Sequence, residues 1–452
     1  MELDAAYLLN KLNQLPRLSR YSVAYSGGVD SHVLLYLLSL LRRQQPDLDI
    51  QAIHVNHGLQ QQADDWAQHC QKICDELDIP LLVMSVNVVL DNGKSPEAAS
   101  REARYAVFRE ILGYGEGLLM AHHQDDQAET VLLQLFRGAG TSGLAAMPGS
   151  AVFEKGWLLR PFLDISRQQI EDLASKSNLK WIEDPSNVEI SFDRNYLRHD
   201  IIPRLKSRWP ALDVTLGRVA TYQAEAAHLL EILAEQDYQQ AIGQTPQTLS
   251  VSAVLKHDAG RQRNLLRYWI KKVRQLPLPD SRHLQRILSE VLPAAPDSSP
   301  LVEWHEVAVR RYRDELYVQP ASFYQGFSEQ FPQQPWDLDK PFRLPDGTEL
   351  QVSQIRGKGL SQELTVGSKV SIAFRQGGEG CRSVGRGHTH SLKKLMQEWG
   401  VPPWLRDRIP LIYINGKLAQ VVGYCICEPF QAKKDEMGLF ISQTGISQAS
   451  SD

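Results

Sequence analysis

The sequence lacks the features of a membrane or secreted protein. Its most apolar run, residues 33–41, is half the length of a bilayer-spanning helix and contains Tyr36 and Ser39. The acids Glu2 and Asp4 stand where a secretory signal needs positive charge. Five cysteines among 452 residues are too few, and odd in number, for a disulfide framework. We therefore expect a cytoplasmic protein without membrane contact, whose cysteines are small core residues.

A positive net charge is also missing. The formal charge is −4, so RNA binding, if it occurs, must depend on local basic patches. The hydrophobic and charged fractions, 42% and 23%, are typical of globular chains, and no internal repeat is present. A length of 452 residues exceeds what one hydrophobic core normally serves, which predicts two or three domains.

The first 137 residues alternate short apolar runs with longer amphipathic segments. Strands are predicted at 22–25, 50–55, 81–86 and 118–121, with helices near 31–43, 62–77, 97–112 and 125–137. Strands joined by helices form parallel sheets with helices on both faces, so we predict an α/β, doubly wound domain. Ligands of such sheets lie beyond the carboxyl ends of the strands.

This alternation stops after Pro203 and Pro210, where a mostly helical stretch begins and runs to about residue 290. A Pro- and Ser-containing linker and strand-like pieces near 307–318 follow. After a second Pro-rich stretch, short β runs and the turn pair Asn415-Gly416 indicate a small β-containing domain. The predicted domains cover residues 1–210, residues 211–330, which are mostly helical, and residues 341–440.

The strongest motif is a glycine-containing loop between the first predicted strand and helix. It consists of Ser26, Gly27, Gly28, Val29, Asp30 and Ser31. Paired glycines let the backbone approach a ligand closely, and the helix start directs N–H groups and a positive dipole end at an anion. The loop is therefore a candidate phosphate cradle, although a plain serine-glycine turn capped by an aspartate is the structural alternative.

This loop is not a Walker A motif, because the only Gly-Lys-Ser, at 93–95, has Val88 where the first glycine belongs. It resembles the PP-loop of the N-type ATP pyrophosphatases. That resemblance implies ATP as cosubstrate, cleavage between its α and β phosphates, and transfer of AMP to a substrate oxygen. Asp30 is a candidate ligand for Mg²⁺, which prefers carboxylate and phosphate oxygens.

Two further motifs end predicted strands at the ligand edge of the sheet. Residues 53–59 read Ile-His-Val-Asn-His-Gly-Leu, and residues 121–130 contain His122, His123, Asp126 and Glu129. The two carboxylates, three residues apart, share one helical face and could hold the ammonium groups of an amino acid. Two alternatives remain open here: a metal site like that of binuclear hydrolases, or acids that only complement a helix N-terminus.

Together with residues 159–161, 181–187, 192–198 and 202–205, these motifs resemble the tRNA(Ile)-lysidine synthetases over about the first 200 residues. The resemblance implies that Asp126, Glu129 and Arg194 bind free L-lysine, and that His122 or His123 positions substrate or assists proton transfer. The implied catalytic residues are Asp30, His122, Asp126 and Arg194. A plain ion pair is the alternative for Arg194, while Arg198 nearby also suits a carboxylate or phosphate.

Basic residues in the two later domains are candidates for tRNA binding. In the middle domain Arg263, Arg267, Lys271 and Arg274 recur at helical spacing, of which we select Arg267 and Lys271. A solvated charged face is the alternative.

The C-terminal segment resembles that of the longer lysidine synthetases. Arg375, Lys393, Lys394 and Arg406 are its candidate phosphate contacts, and an exposed Trp404 could stack on a base. The alternative is a small structural β domain with core tryptophans.

The resemblance implies a two-step ligation on the tRNA(Ile) that carries a CAU anticodon. The C2 oxygen of the wobble cytidine attacks the α-phosphate of ATP, and the ε-amine of lysine then displaces AMP. The alternatives are a PP-loop tRNA thiolase and a non-catalytic RNA-binding protein. A thiolase usually needs Cys-x-x-Cys pairs, which the Cys70/Cys74 and Cys425/Cys427 spacings do not provide. A homodimer is a further expectation.

Overall fold

The computed structural model describes residues 2–15, 18–56, 63–86, 96–183, 192–245, 247–296, 298–324, 331–383 and 388–444. The motif residues at 57–59, 93–95 and 184–187 lie outside these ranges. The chain forms two compact units, Met1–Ile232 and Leu233–Asp452. The three-domain division predicted above stays a prediction.

The first unit is built on a six-stranded sheet with the order β3-β2-β1-β4-β6-β5. Its strands are β1 (Arg20–Ala24), β2 (Ile50–Asn56), β3 (Leu81–Ser85), β4 (Glu116–Leu119), β5 (Ser150–Phe153) and β6 (Gly156–Leu159). Strands β1, β2, β3, β4 and β6 pair in parallel. The predicted parallel α/β sheet is confirmed. The four strands that were predicted, β1 to β4, begin and end within two residues of their predicted bounds.

The helices that begin in this unit are α1 (Ala5–Asn13), α2 (Val29–Gln44), α3 (Ala63–Glu76), α4 (Pro96–Ile111), α5 (Gln124–Phe136), α6 (Thr141–Leu144), α7 (Arg167–Lys176), α8 (Asp193–Tyr196), α9 (Ile202–Arg208) and α10 (Leu212–Ala241). A π-helical turn, Leu197–Ile201, joins α8 to α9. The apolar run predicted as a buried helix forms α2, where Val33, Leu34 and Leu38 are fully buried in the main core. Helix α10 continues into the second unit.

The hairpin of β5 and β6 was not predicted. Strand β5 runs antiparallel to β6 and forms the edge of the sheet. Both strands have only four residues, too few for alternation of apolar and polar positions to be recognisable. The hairpin matters because Arg160, immediately after β6, reaches the site described below.

The second unit begins with helices packed on an antiparallel sheet of order β7-β10-β9-β8. Its elements are β7 (Leu249–Ser250), α11 (Val251–Val254), α12 (Ala259–Tyr268), α13 (Ser281–Arg286), β8 (Leu301–Trp304), β9 (Val307–Tyr312) and β10 (Glu315–Pro320), with π-helical turns at Trp269–Val273 and Ile287–Val291. Fully buried Trp269 and Leu265 help to form the core between helices and sheet. The predicted strands near 307–318 are confirmed as β9 and β10.

The remaining chain is rich in short strands. They are β11 (Gln334–Pro335), β12 (Phe342–Arg343), β13 (Glu349–Arg356), β14 (Leu360–Ser361), β15 (Val370–Ala373), β16 (Gly380–Cys381), β17 (His390–Ser391), β18 (Leu411–Ile414), β19 (Lys417–Val421), β20 (Cys425–Ile426) and β21 (Met437–Thr444), with α14 (Gln362–Thr365), α15 (Leu392–Glu398) and α16 (Pro403–Arg406) between them. The predicted turn pair Asn415-Gly416 joins β18 to β19, with positive φ at both residues, as a tight hairpin turn requires.

One interpretation of the cysteines is wrong. Cys70 and Cys74 are buried core residues as expected, but Cys381 and Cys427 form a disulfide. These two are 46 positions apart, and a sequence does not show which distant residues fold together.

Among the helices that the structure describes, none has the length and apolarity needed to span a bilayer.

Candidate functional site

The glycine-containing loop connects β1 to the N-terminus of α2, as predicted. The Ser31 hydroxyl donates to the Gly28 carbonyl at 3.1 Å and accepts from the Ser26 backbone N–H at 3.2 Å. The Ser26 hydroxyl accepts from the Gly28 N–H at 3.3 Å. These bonds hold the loop around the start of α2, whose first N–H groups have no partners within the helix. The loop therefore has the form of an anion cradle.

Gly27 packs against residues outside the loop and does not line the cavity described below. Its φ is +84°, and a Cβ there would lie 2.6 Å from Ile182 Cδ1 and 3.0 Å from Cys70 Sγ. Its carbonyl accepts the Ile182 N–H at 2.9 Å. The predicted ATP-binding residue Gly27 thus acts by letting the backbone pack closely on its neighbours.

Asp30 stands in the first turn of α2 with one carboxylate oxygen, Oδ1, buried and without a hydrogen-bond partner. The His123 Nε2 atom lies 3.7 Å from this oxygen. Burial raises the pKa of Asp30 above its ordinary value, and His123 and Arg167 partly oppose that shift. An uncompensated buried carboxylate oxygen favours a bound cation.

Helix α5 carries the predicted lysine-binding carboxylates. His123 caps its N-terminus: Nδ1 accepts the Asp126 N–H at 3.4 Å, and Asp126 Oδ2 accepts the His123 N–H at 3.1 Å. This reciprocal pair satisfies two backbone donors, so the capping alternative describes part of the role of Asp126. Burial pushes the pKa of Asp126 upward, but His123, His122 and Arg194 outweigh it and hold the pKa below its ordinary value.

Glu129, one turn further along α5, is almost completely buried and pairs with two arginines. Its oxygens accept from Arg194 Nε at 2.8 Å and from Arg198 Nε and Nη2 at 2.6 and 3.0 Å. Arg198 also donates to Asp126 Oδ1 at 3.2 Å. The two arginines come from α8 and the following π-helical turn. The structure thus brings Arg194 to the site through Glu129, and it lets Arg198 contact both predicted carboxylates.

His122 bonds to the arginine that follows β6. Its Nδ1 accepts from Arg160 Nε at 3.2 Å, and Arg160 Nη1 donates to the Pro148 carbonyl at 2.9 Å. Burial lowers the pKa of His122 far below its ordinary value, and Arg160 and Arg194 add to the effect while Asp126 opposes it. The imidazole is therefore uncharged at neutral pH.

Several functional candidates were missed from sequence. Lys206 of α9 donates to Asp125 Oδ1 at 2.9 Å and also pairs with Asp213. Asp125 Oδ2 accepts the Arg167 N–H at 3.0 Å. In the sequence, Lys206 is indicated only by its position just after the motif at 202–205. Arg160 lies inside the motif at 159–161, but nothing there indicates that it contacts His122.

These groups surround one cavity of about 1100 Å³ in the first unit. Its described lining includes Ser26, Gly28, Val29, Asp30, Ser31, His122, Asp126, Glu129, Arg198 and Lys206, but neither Gly27 nor Arg194. Small-molecule pockets commonly hold about 300–1000 Å³. The cavity is therefore large enough for a nucleotide together with part of a second substrate.

The candidate tRNA contacts lie in the second unit with differing exposure. Arg267, Lys271, Lys393 and Lys394 are exposed. Arg375 donates to Asp407 at 3.2 Å, and Arg406 donates to the Val401 carbonyl at 3.0 Å; both side chains are half-buried.

Trp404 is not exposed as expected. Its half-buried ring packs edge-on against Tyr312 and Tyr317, and the Arg310 guanidinium lies 5.3 Å from the ring centre. The sequence prediction failed because packing against residues about 90 positions away cannot be read from the neighbours of Trp404.

Comparison with known proteins decides the family. The chain matches a PP-loop domain over residues 1–205, a TilS substrate binding domain over 249–317 and a TilS substrate C-terminal domain over 370–442. The tRNA(Ile)-lysidine synthase of Coxiella burnetii is 45% identical over 432 residues, covering 95% of this chain and 94% of that protein. This chain belongs to the tRNA(Ile)-lysidine synthase family.

A second lysidine synthase relative agrees with the assignment. The tRNA(Ile)-lysidine synthase of Methylococcus capsulatus is 42% identical over 406 residues, covering 90% of this chain and 91% of that protein. Among solved structures, the U34-tRNA thiolase NcsA of Methanococcus maripaludis with its [4Fe-4S] cluster has a TM-score of 0.42 and 21% identity over 49% of this chain and 77% of that one. The predicted membership of the lysidine synthase family is confirmed.

Proposed function

We propose that this family member ligates free L-lysine to C2 of the wobble cytidine in the CAU anticodon of tRNA(Ile). The C2 oxygen of cytidine attacks the α-phosphate of ATP and pyrophosphate leaves. The ε-amine of lysine then attacks C2, and AMP leaves with the former C2 oxygen. The observation that carries the proposal is a single cavity whose wall contains both the phosphate loop and the Asp126 carboxylate.

ATP occupies the loop side of this cavity. The α2 N-terminus and the hydroxyls of Ser26 and Ser31 receive its phosphates. The buried, unpartnered Oδ1 of Asp30 fits Mg²⁺, a hard cation that takes carboxylate oxygens. Bound there, Mg²⁺ supplies neutralisation of phosphate charge.

Lysine occupies the α5 side. A carboxylate can accept about four hydrogen bonds, so Asp126 keeps acceptor capacity beside its bonds to His123 and Arg198. We assign the ammonium contact to Asp126. Glu129, already bonded to both arginines, holds Arg194 and Arg198 in place beside Asp126. Uncharged His122, whose Nδ1 accepts from Arg160, keeps its ring proton on Nε2 and can donate a hydrogen bond that positions substrate.

The second unit supplies the tRNA contacts. Arg267, Lys271, Lys393 and Lys394 are exposed cations that suit a phosphate backbone, while Arg375 and Arg406 need to leave internal bonds to contact one. A homodimer remains part of the proposal, to be checked by light scattering.

The test separates the two chemical steps in wild type and in Asp126→Ala. We expect wild type to release pyrophosphate with tRNA and ATP alone, and to incorporate labelled lysine when it is added. Asp126→Ala should lose lysine incorporation by about 100-fold or more, the upper range for loss of a charge-assisted hydrogen bond at a reacting group. Pyrophosphate release should persist.

A matched control is Asp172→Ala, because Asp172 is an exposed carboxylate on α7 outside the cavity lining. It should behave as wild type. Lysine-independent tRNA modification would instead favour the thiolase alternative, and absence of pyrophosphate release would favour a non-catalytic RNA-binding protein.

A further inference from the structure

Three cysteine sulfurs meet in the C-terminal part of the second unit. The Sγ atoms of Cys381, Cys425 and Cys427 all lie within 4.8 Å of one another. Cys381 ends β16, while Cys425 begins β20 and Cys427 follows it by two positions. Residues two apart in an extended chain point to the same face, which directs Cys425 and Cys427 together toward Cys381. Among the described residues, this is the one cluster of His, Cys, Asp or Glu side chains with such spacing.

The surroundings of the cluster are largely apolar. Cys381 and Cys427 are 1% and 2% exposed and pack against buried Leu395, with Trp399 and Leu418 at the margin. Cys425 is half-buried. In this structure Cys381 and Cys427 form a disulfide, and the Cys425 Sγ lies 3.7 Å from that of Cys381.

We propose that, once the disulfide is reduced, these three cysteines bind one thiophilic divalent cation of the Zn²⁺ type. Zinc–thiolate bonds of about 2.3 Å in a tetrahedron place two sulfurs about 3.8 Å apart, close to the Cys381–Cys425 separation. Cys381 and Cys427, which are bonded to each other here, must move apart to reach this separation. Soft thiolates select such ions over Mg²⁺.

Three cysteines leave the fourth coordination position of a tetrahedral ion to another ligand. Water can fill it. His390 pairs directly opposite Cys381 between β16 and β17, but its ring must turn toward the sulfurs to bind, because it is not among the side chains that meet within 4.8 Å. Opposed residues of an antiparallel pair project to the same face of the sheet.

The two states of the cluster exclude each other. A dithiol reductant gives two electrons and two protons to the Cys381–Cys427 disulfide, which yields two thiols and the oxidised reductant. The cation then replaces the protons of the three thiols, releasing three H⁺. A chain with the disulfide closed retains only the Cys425 thiol and cannot form the site.

Metal loading would also act on the predicted tRNA surface. Leu395 of α15 packs within the cysteine cluster, and the same short helix carries the exposed Lys393 and Lys394. A ligand that binds only the folded state stabilises that state. Occupation of the site therefore fixes the segment that presents these two lysines.

The test uses the full-length chain, reduced and metal-free, titrated with Co²⁺ as a spectroscopic substitute for Zn²⁺. We expect one equivalent to produce thiolate-to-cobalt charge-transfer absorption with tetrahedral d–d bands, which Zn²⁺ then abolishes. Cys425→Ser should bind Co²⁺ at least tenfold more weakly. Cys74→Ala, which removes a buried thiol of the first unit, should titrate as wild type.

A second measurement covers the case in which Cys425→Ser does not fold. Wild type oxidised to close the Cys381–Cys427 disulfide, verified by mass spectrometry, should lose the cobalt bands while reduced wild type keeps them. Reduced wild type without these bands, or bands that survive both the substitution and the oxidation, would overturn the proposal.

Discussion

His122 enters the cavity wall as an uncharged imidazole because its surroundings oppose a second proton. Burial is the main cause of its lowered pKa. The positive charge of the Arg160 guanidinium, which donates a hydrogen bond to Nδ1, lowers the pKa further, while Asp126 opposes the shift. With Nδ1 occupied as an acceptor, the ring proton resides on Nε2. An uncharged, oriented imidazole can donate a hydrogen bond from Nε2 without adding charge to the cavity wall.

This pKa shift predicts how stability depends on pH. In the unfolded chain His122 titrates near 6.5, whereas in the folded chain its pKa is far lower. Below pH 6.5 the unfolded state binds more protons, so the free energy of unfolding falls as pH falls, by up to about 1.4 kcal/mol per unit. His122→Gln should flatten this dependence between pH 6.5 and 5, measured by urea midpoints. His388→Gln, at an exposed histidine, should keep the wild-type slope; equal slopes for wild type and both variants would contradict the assignment.

The sequence predicted candidate site residues where a recognisable motif contains them. It did not predict which distant side chains those residues contact. The candidate phosphate loop, His122, Asp126 and Glu129 could be proposed from sequence because adjacent residues form recognisable patterns. Arg160 and Lys206 were not assigned because their partners lie 38 and 81 positions away along the chain. Nothing in the local sequence signals such contacts.

At the scale of elements, the site depends on two helix N-termini at the carboxyl ends of parallel strands. Helix α2 starts at the phosphate loop and α5 starts at His123. Alternation of apolar runs with amphipathic segments was enough to predict both helices. The β5–β6 hairpin and the π-helical turn carrying Arg198 were not predictable, because four-residue strands and one-residue helical insertions leave almost no periodic signal.

Gly27→Ala tests the packing beneath the phosphate loop. The new Cβ meets Ile182 Cδ1 at 2.6 Å and Cys70 Sγ at 3.0 Å, so the loop must shift. We expect ATP affinity, measured by calorimetry, to fall about tenfold, or roughly 1.4 kcal/mol. The matched control is Gly138→Ala: its φ of +67° imposes the same left-handed strain, but nothing lies within 4 Å of the added methyl group. Equal ATP affinity in the two variants would show that the close packing is unimportant.

For the whole molecule, the net charge of −4 gives no indication of the RNA-binding surface that is predicted from local clusters of basic residues. The tRNA binding proposed above must then depend on exposed local cations rather than on bulk charge. Exposure separates the candidates in a way that sequence could not. Lys393 and Lys394 face solvent, whereas Arg375 and Arg406 are half-buried and bonded to their own unit.

The double change Lys393→Ala with Lys394→Ala tests this surface. Each lysine that contacts a phosphate releases counterions on binding, so its loss should weaken tRNA binding and reduce the salt slope of log K by about 1. Filter binding at several salt concentrations should show a slope smaller by about 2, while pyrophosphate release at saturating tRNA stays intact. The exposed neighbouring pair Lys433 and Lys434 provides the control, because their replacement removes equal charge from the same unit. If both double variants reduced the slope equally, the effect would arise from net charge, and α15 would not contact the tRNA.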